Sequence, residues 1–145
     1  MLLEGAKQEI RACNEISEPF GLRLNEEEIQ DLAECRNDSL KASGRIEFEG
    51  GILPKLIHAF CDSPYLSQSN YADTLAQLQE AFYYYKTESC DEYTDDELIE
   101  FMVEVFNGRA QGSAEYLIGT SLFDLCRYAR EGYDPNDADG IGDLF

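Results

Sequence analysis

The chain has 145 residues, with thirty Asp and Glu against eleven Lys and Arg, for a formal charge of −19 at pH 7. That length suits one domain with a core large enough to stand without disulfides or metals. The charge argues against direct binding of nucleic acid or an anionic membrane, which relies on Lys and Arg neutralising phosphates, and points either to a basic surface on another protein or to solubility alone.

Residues 2–17 read as a first helix with Leu3, Ala6, Ile10, Cys13 and Ile16 toward one side, broken by Glu18-Pro19-Phe20-Gly21. Leu22 and Leu24 alternate around Arg23 as a short extended piece. Asn25 then caps a second helix, with Glu28 in the capping-box position and Glu26 and Glu27 in its first turn, ending at Gly44. Residues 45–49 alternate with period two and are a candidate strand, whose natural partner is 22–24; a two-stranded ribbon alone is marginal and would have to lie on the helices.

Pro54 suits the first turn of a third helix, Leu53 to Cys61, stopped by Asp62-Ser63-Pro64. Asn70 is placed to cap a fourth helix running to Glu88, with Tyr71, Leu75, Leu78, Phe82 and Tyr85 in a narrow stripe. Tyr83 and Tyr84 fall off that stripe, so another helix covers them or they stand as exposed rings on an acidic surface.

The most strongly marked element runs from Thr94 to Gly108. Thr94 and Glu97 form a capping box, and Asp95 and Asp96 add negative charge at the positive end of the helix dipole. Its apolar residues sweep an arc of about 200° at 100° per residue, leaving Glu97, Glu100 and Glu104 the remaining face. Asn107-Gly108 is expected to end it with a left-handed residue. Ser113 caps a last helix to Glu131, Gly132 stops it, and DPNDADGIGDLF closes the chain as an acidic, turn-rich tail.

The expected fold is therefore mainly α: a single compact domain of five to six helices over 1–132, with an optional ribbon from 22–24 and 45–49, and a tail over 133–145. The segments GRIEFEGGILPKLIHAFCDSPYL (44–66) and NYADTLAQLQEAFYYYKTE (70–88), with DELIEFM and GSAEYLIGTSL further on, resemble an uncharacterised family of small helical proteins from Gram-positive anaerobes, classed as a domain of unknown function. The resemblance covers roughly 20–130. It implies a single compact domain and carries over no activity, ligand or catalytic residue.

The five cysteines are odd in number, widely spaced and without a C-x-x-C pair, which predicts reduced thiols and a cytoplasmic protein. The opening MLLEGAKQEI lacks the apolar core of a signal peptide, and no run approaches the length of a membrane span. The residues offer several candidate chemical sites. His58, the lone histidine, and Cys61 sit at i, i+3 and suit either a thiolate–imidazole pair or part of a zinc site, against ordinary packing. Asp137, Asp139 and Asp143 approximate a calcium loop, but Pro135 stands at its first position and the twelfth lies beyond Phe145. Close carboxylates on the helix after Thr94 suit acid–base work, although ionised surface acids are expected there anyway.

No cofactor is expected. The preferred reading is a non-enzymatic acidic protein that docks on a basic macromolecular surface, with the sharper form a nucleic-acid mimic of the anti-CRISPR or anti-restriction type. Thr87–Gly108 holds eight carboxylates and no Lys, Arg or His, and tyrosines stand close by. The docking set is Tyr83, Tyr84, Tyr93, Asp91, Glu92, Asp95, Asp96, Glu97, Glu100 and Glu104. The alternatives are a small metal-binding protein or enzyme centred on His58 and Cys61, and a homodimer formed through the tyrosine face.

Overall fold

The computed structural model describes residues 3–44, 52–89 and 92–131. Among them the chain is all-α, with no strand. It divides into two compact units, Met1–Tyr83 and Tyr84–Phe145, and the division falls within one helix, Tyr71–Glu88.

In the first unit the opening run is two helices, α1 (Leu3–Ala12) and α2 (Asn14–Ser17), interrupted at Cys13. A 3-10 turn, Glu18–Phe20, follows with Pro19 near its start, and Gly21 closes it in the left-handed region at φ 81°. Helix α3 (Glu26–Ser43) begins at Asn25 with both bonds of the capping box in place and ends at Gly44 with φ 68°. Helix α1 packs against α3, and both α1 and α2 touch α4 (Leu53–Phe60). Leu53, Leu56, Ile57 and Phe60 of α4 are wholly buried. Helix α5 (Tyr71–Glu88) supplies Tyr71, Leu75, Leu78 and Phe82 to this core, and Gln79 Nε2 donates to the Leu32 carbonyl at 3.2 Å. The Asn70 side chain turns back onto the preceding loop, accepting from the Ser67 N–H and donating to the Tyr65 carbonyl.

The piece from Leu22 to Leu24 is extended as the alternation predicts, with Leu22 and Leu24 buried and Arg23 exposed. The proposed ribbon is a correction. Residues 45–49 lie outside the described residues, and 22–24 has no edge left for a strand, because one backbone carbonyl and three side chains take its polar groups in turn. Leu22 donates its N–H to the Ser17 carbonyl and accepts from Ser17 Oγ. Arg23 donates to Gln68 Oε1 and accepts from Gln68 Nε2, at 2.8 and 2.7 Å. Leu24 does the same with Asn14, at 2.8 and 3.0 Å. Two amide side chains stand in for two neighbouring strands.

In the second unit, α6 (Asp95–Asn107) carries the predicted capping box and buries Leu98, Ile99, Phe101, Met102, Val105 and Phe106. Its end differs from expectation. Gly108 is not left-handed; its N–H bonds the Glu104 and Val105 carbonyls, and a Cβ there would lie 2.8 Å from the Glu104 oxygen. The left-handed residues come later, at Gln111 and Gly112. The last helical run is not uniform either: α7 (Ala114–Tyr116) passes into a π-helical turn, Leu117–Leu122, before α8 (Phe123–Glu131). The Tyr85 hydroxyl donates to the Ile118 carbonyl of that turn at 2.9 Å, and α6 packs on it.

Asn14 is buried and Gln68 exposed, so the two amides differ in cost. Asn14→Ala strands a buried N–H and carbonyl and is expected to cost about 2–4 kcal/mol in urea unfolding, whereas Gln68→Ala, where water replaces the amide, costs under about 1 kcal/mol. Equal losses from the two would contradict this division.

Candidate functional site

The candidate site is an acidic hollow in the second unit, built from the start of α6. The Thr94 hydroxyl accepts from the Glu97 N–H at 3.1 Å, and the Thr94 N–H donates to Glu97 Oε1 at 2.9 Å. The bond from the Thr94 backbone N–H foremost, and then the Thr94 side chain, hold the Glu97 carboxyl below its ordinary value, so it stays ionised. Just before this helix, the Lys86 ammonium donates to the Tyr93 carbonyl and lies 3.1 Å from Asp95. Lys86 is thereby spent at the helix start.

Glu97, Glu100 and Glu104, spaced i, i+3 and i+7, share one flank of α6 with Phe101. With Tyr93 and Leu125 of α8 these residues line a hollow of about 300 Å³. Phe101 and Leu125 are buried, Tyr93 is half-buried, and the glutamates are exposed, so the floor is apolar and the rim anionic. Burial raises the Tyr93 phenol first, and the neighbouring charges at Cys126, Glu92 and Glu97 raise it further, so it stays a neutral hydrogen-bond donor. Among the described residues no ion pair reaches Glu100 or Glu104. The arrangement provides negative charge over aromatic surface, the chemistry that receives an organic cation.

The predicted docking set separates. Tyr93, Glu97, Glu100 and Glu104 come together at the hollow. Asp95 is turned to Lys86, while Glu92 and Asp96 are exposed outside the lining. Tyr84 is 57 % exposed and stands edge-on to Tyr85, also outside the lining. Tyr83 must be removed from the set: it is 1 % exposed and packs edge-on to Phe82, so it offers no ring to a partner. Asp91 lies outside the described residues. Phe101 and Leu125 are not singled out in the sequence; the i, i+4 step from Glu97 to Phe101 is the available signal for the first, and Leu125 has none, since it arrives from a different helix.

Among the described residues the His58 ring and the Cys61 thiol make no bond to each other. His58 is exposed rather than packed, and the Cys61 sulfur lies 3.7 Å from the His58 backbone carbonyl. Burial, and then the charge of Asp62, raise the Cys61 thiol, which disfavours the thiolate a nucleophile needs. Among the described residues no three His, Cys, Asp or Glu side chains group to hold a metal ion. The calcium candidates Asp137, Asp139 and Asp143 lie outside the described residues.

The first unit holds a second group of titratable side chains, Cys13 and Tyr71. Burial foremost pushes the Cys13 thiol from 9.0 to about 11 and the Tyr71 hydroxyl from 10.0 to about 12. Both folded values are raised, so the stability they contribute is complete below pH 9.0 and is lost as pH rises through about 11 and 12. Urea midpoints measured from pH 8 upward should fall across that window, and Cys13→Ala should flatten the earlier part of the fall. A midpoint independent of pH up to 11 would contradict it.

A family model described as a family of unknown function matches residues 9–135. No curated protein and no solved structure matches the chain.

Proposed function

We propose that this chain, which belongs to the family of unknown function DUF6323, is a non-enzymatic acidic protein that docks on a basic surface of another macromolecule. The observation that carries the reading is the flank of α6, where Glu100 and Glu104 have no cation among the described residues and border an apolar hollow. A surface of that kind attracts Arg and Lys at long range and holds them at contact.

The sharper form is that the partner surface is one that ordinarily holds nucleic acid. Five carboxylates, Asp95, Asp96, Glu97, Glu100 and Glu104, fall within about 14 Å of helix axis. That linear density is close to the one charge per about 3.4 Å of a single nucleic-acid strand. Lys86 neutralises part of it at Asp95 and leaves the Glu97–Glu104 flank anionic.

The test is capture of basic proteins from a bacterial lysate on the immobilised chain, with elution in steps of salt. The triple change Glu97→Gln, Glu100→Gln and Glu104→Gln is the control, because Gln at the third helical position keeps the capping box. The reading expects basic partners on the wild type, released by salt and by added duplex DNA, and at least a tenfold loss on the triple variant. Partners retained equally by both chains would contradict docking through α6; retention that DNA does not displace would remove the nucleic-acid-mimic form alone.

A second reading, self-association, is favoured by the 57 % exposure of Tyr84. Light scattering decides it: a dimer that Tyr84→Arg dissociates supports it, and a monomer at high concentration rejects it.

A further inference from the structure

We infer that the hollow of the second unit is a receptor for one arginine side chain presented by the partner. The inference rests on the docking reading and adds the identity of the group received. About 300 Å³ is at the small end of ligand pockets, room for one long side chain rather than a packed helix.

The lining discriminates among cations. A divalent metal needs several carboxylates converging on one point, and among the described residues no such group occurs. Ammonium of lysine is compact and strongly hydrated, and gains little from an apolar floor. A guanidinium is planar and weakly hydrated, stacks on aromatic faces and offers forked donors to carboxylates. Tyr93, half-buried, supplies the ring, Phe101 and Leu125 line the apolar floor from buried positions, and Glu100 and Glu104 are the acceptors. Glu97 contributes charge, with one carboxylate oxygen already bonded to the Thr94 N–H. Lys86 does not compete for the hollow, because its ammonium is held by the Tyr93 carbonyl and Asp95.

The probes are two blocked peptides, acetyl-Gly-Gly-Arg-Gly-Gly-amide and its lysine counterpart, titrated into the full chain and followed by backbone amide NMR at low salt. The arginine peptide should shift amides of residues 93–104 and of Leu125 saturably, and bind about two- to fivefold tighter than the lysine peptide. Glu100→Gln with Glu104→Gln should weaken both peptides about tenfold or more, whereas Tyr93→Leu should bring the arginine-to-lysine ratio close to one. The dispersion of the remaining amides reports that each variant is folded. Equal binding of the two peptides, or arginine-induced shifts away from the hollow that the glutamate changes leave intact, overturns the inference. Either result leaves the salt-released capture of basic proteins unaffected, so failure of the pocket and failure of docking are told apart.

Discussion

The position of the Lys86 ammonium decides the character of the second unit. Between Thr87 and Gly108 the chain carries eight carboxylates and no cation of its own, so Lys86 is the closest positive charge in sequence on that side. It is spent on the Tyr93 carbonyl and Asp95, where it tethers the link between α5 and the start of α6. A cation held there stabilises the junction and leaves Glu100 and Glu104 facing solvent without a partner among the described residues. The Lys86 side chain is only 12 % exposed, so the pair both secures the junction and withholds its charge from the flank. The flank remains negative where an apolar floor also opens.

The same division between local satisfaction and exposed charge runs through the first unit. Its polar backbone is closed internally, most fully at 22–24, where Ser17, Asn14 and Gln68 take every N–H and carbonyl. Cys13 and Cys61 are buried and Cys35 is half-buried, and burial drives all three toward the neutral form.

How much of this was legible in the sequence follows the range of each interaction. Capping boxes at Asn25–Glu28 and Thr94–Glu97 depend on residues three apart, and both stand as read. Gly21 and Gly44 take left-handed values where a helix or turn had to stop. The alternation at Leu22–Leu24 was legible, but the partner was not, because amide side chains 10 and 45 residues away can imitate a strand. Gly108 was read as left-handed, whereas a close approach to the Glu104 oxygen is what requires glycine there. The π-helical turn at Leu117–Leu122 has no pattern in the residues themselves; it is secured in part by the Tyr85 hydroxyl, 33 positions upstream of Ile118. The glutamate stripe of the candidate site was visible from helical periodicity alone. Its apolar floor was not, since Leu125 comes from another helix, and the burial of Tyr83 depends on packing that periodicity does not carry.

The central claim, that the outer flank of α6 keeps an uncompensated negative potential beside an apolar floor, is tested most directly by the paramagnetic relaxation of each backbone amide with a cationic and with a neutral soluble nitroxide. The account predicts that the cationic-to-neutral ratio of relaxation rates peaks from Tyr93 to Glu104 and collapses at high salt. A ratio along that segment no greater than over α3, or a maximum elsewhere on the chain, would contradict it.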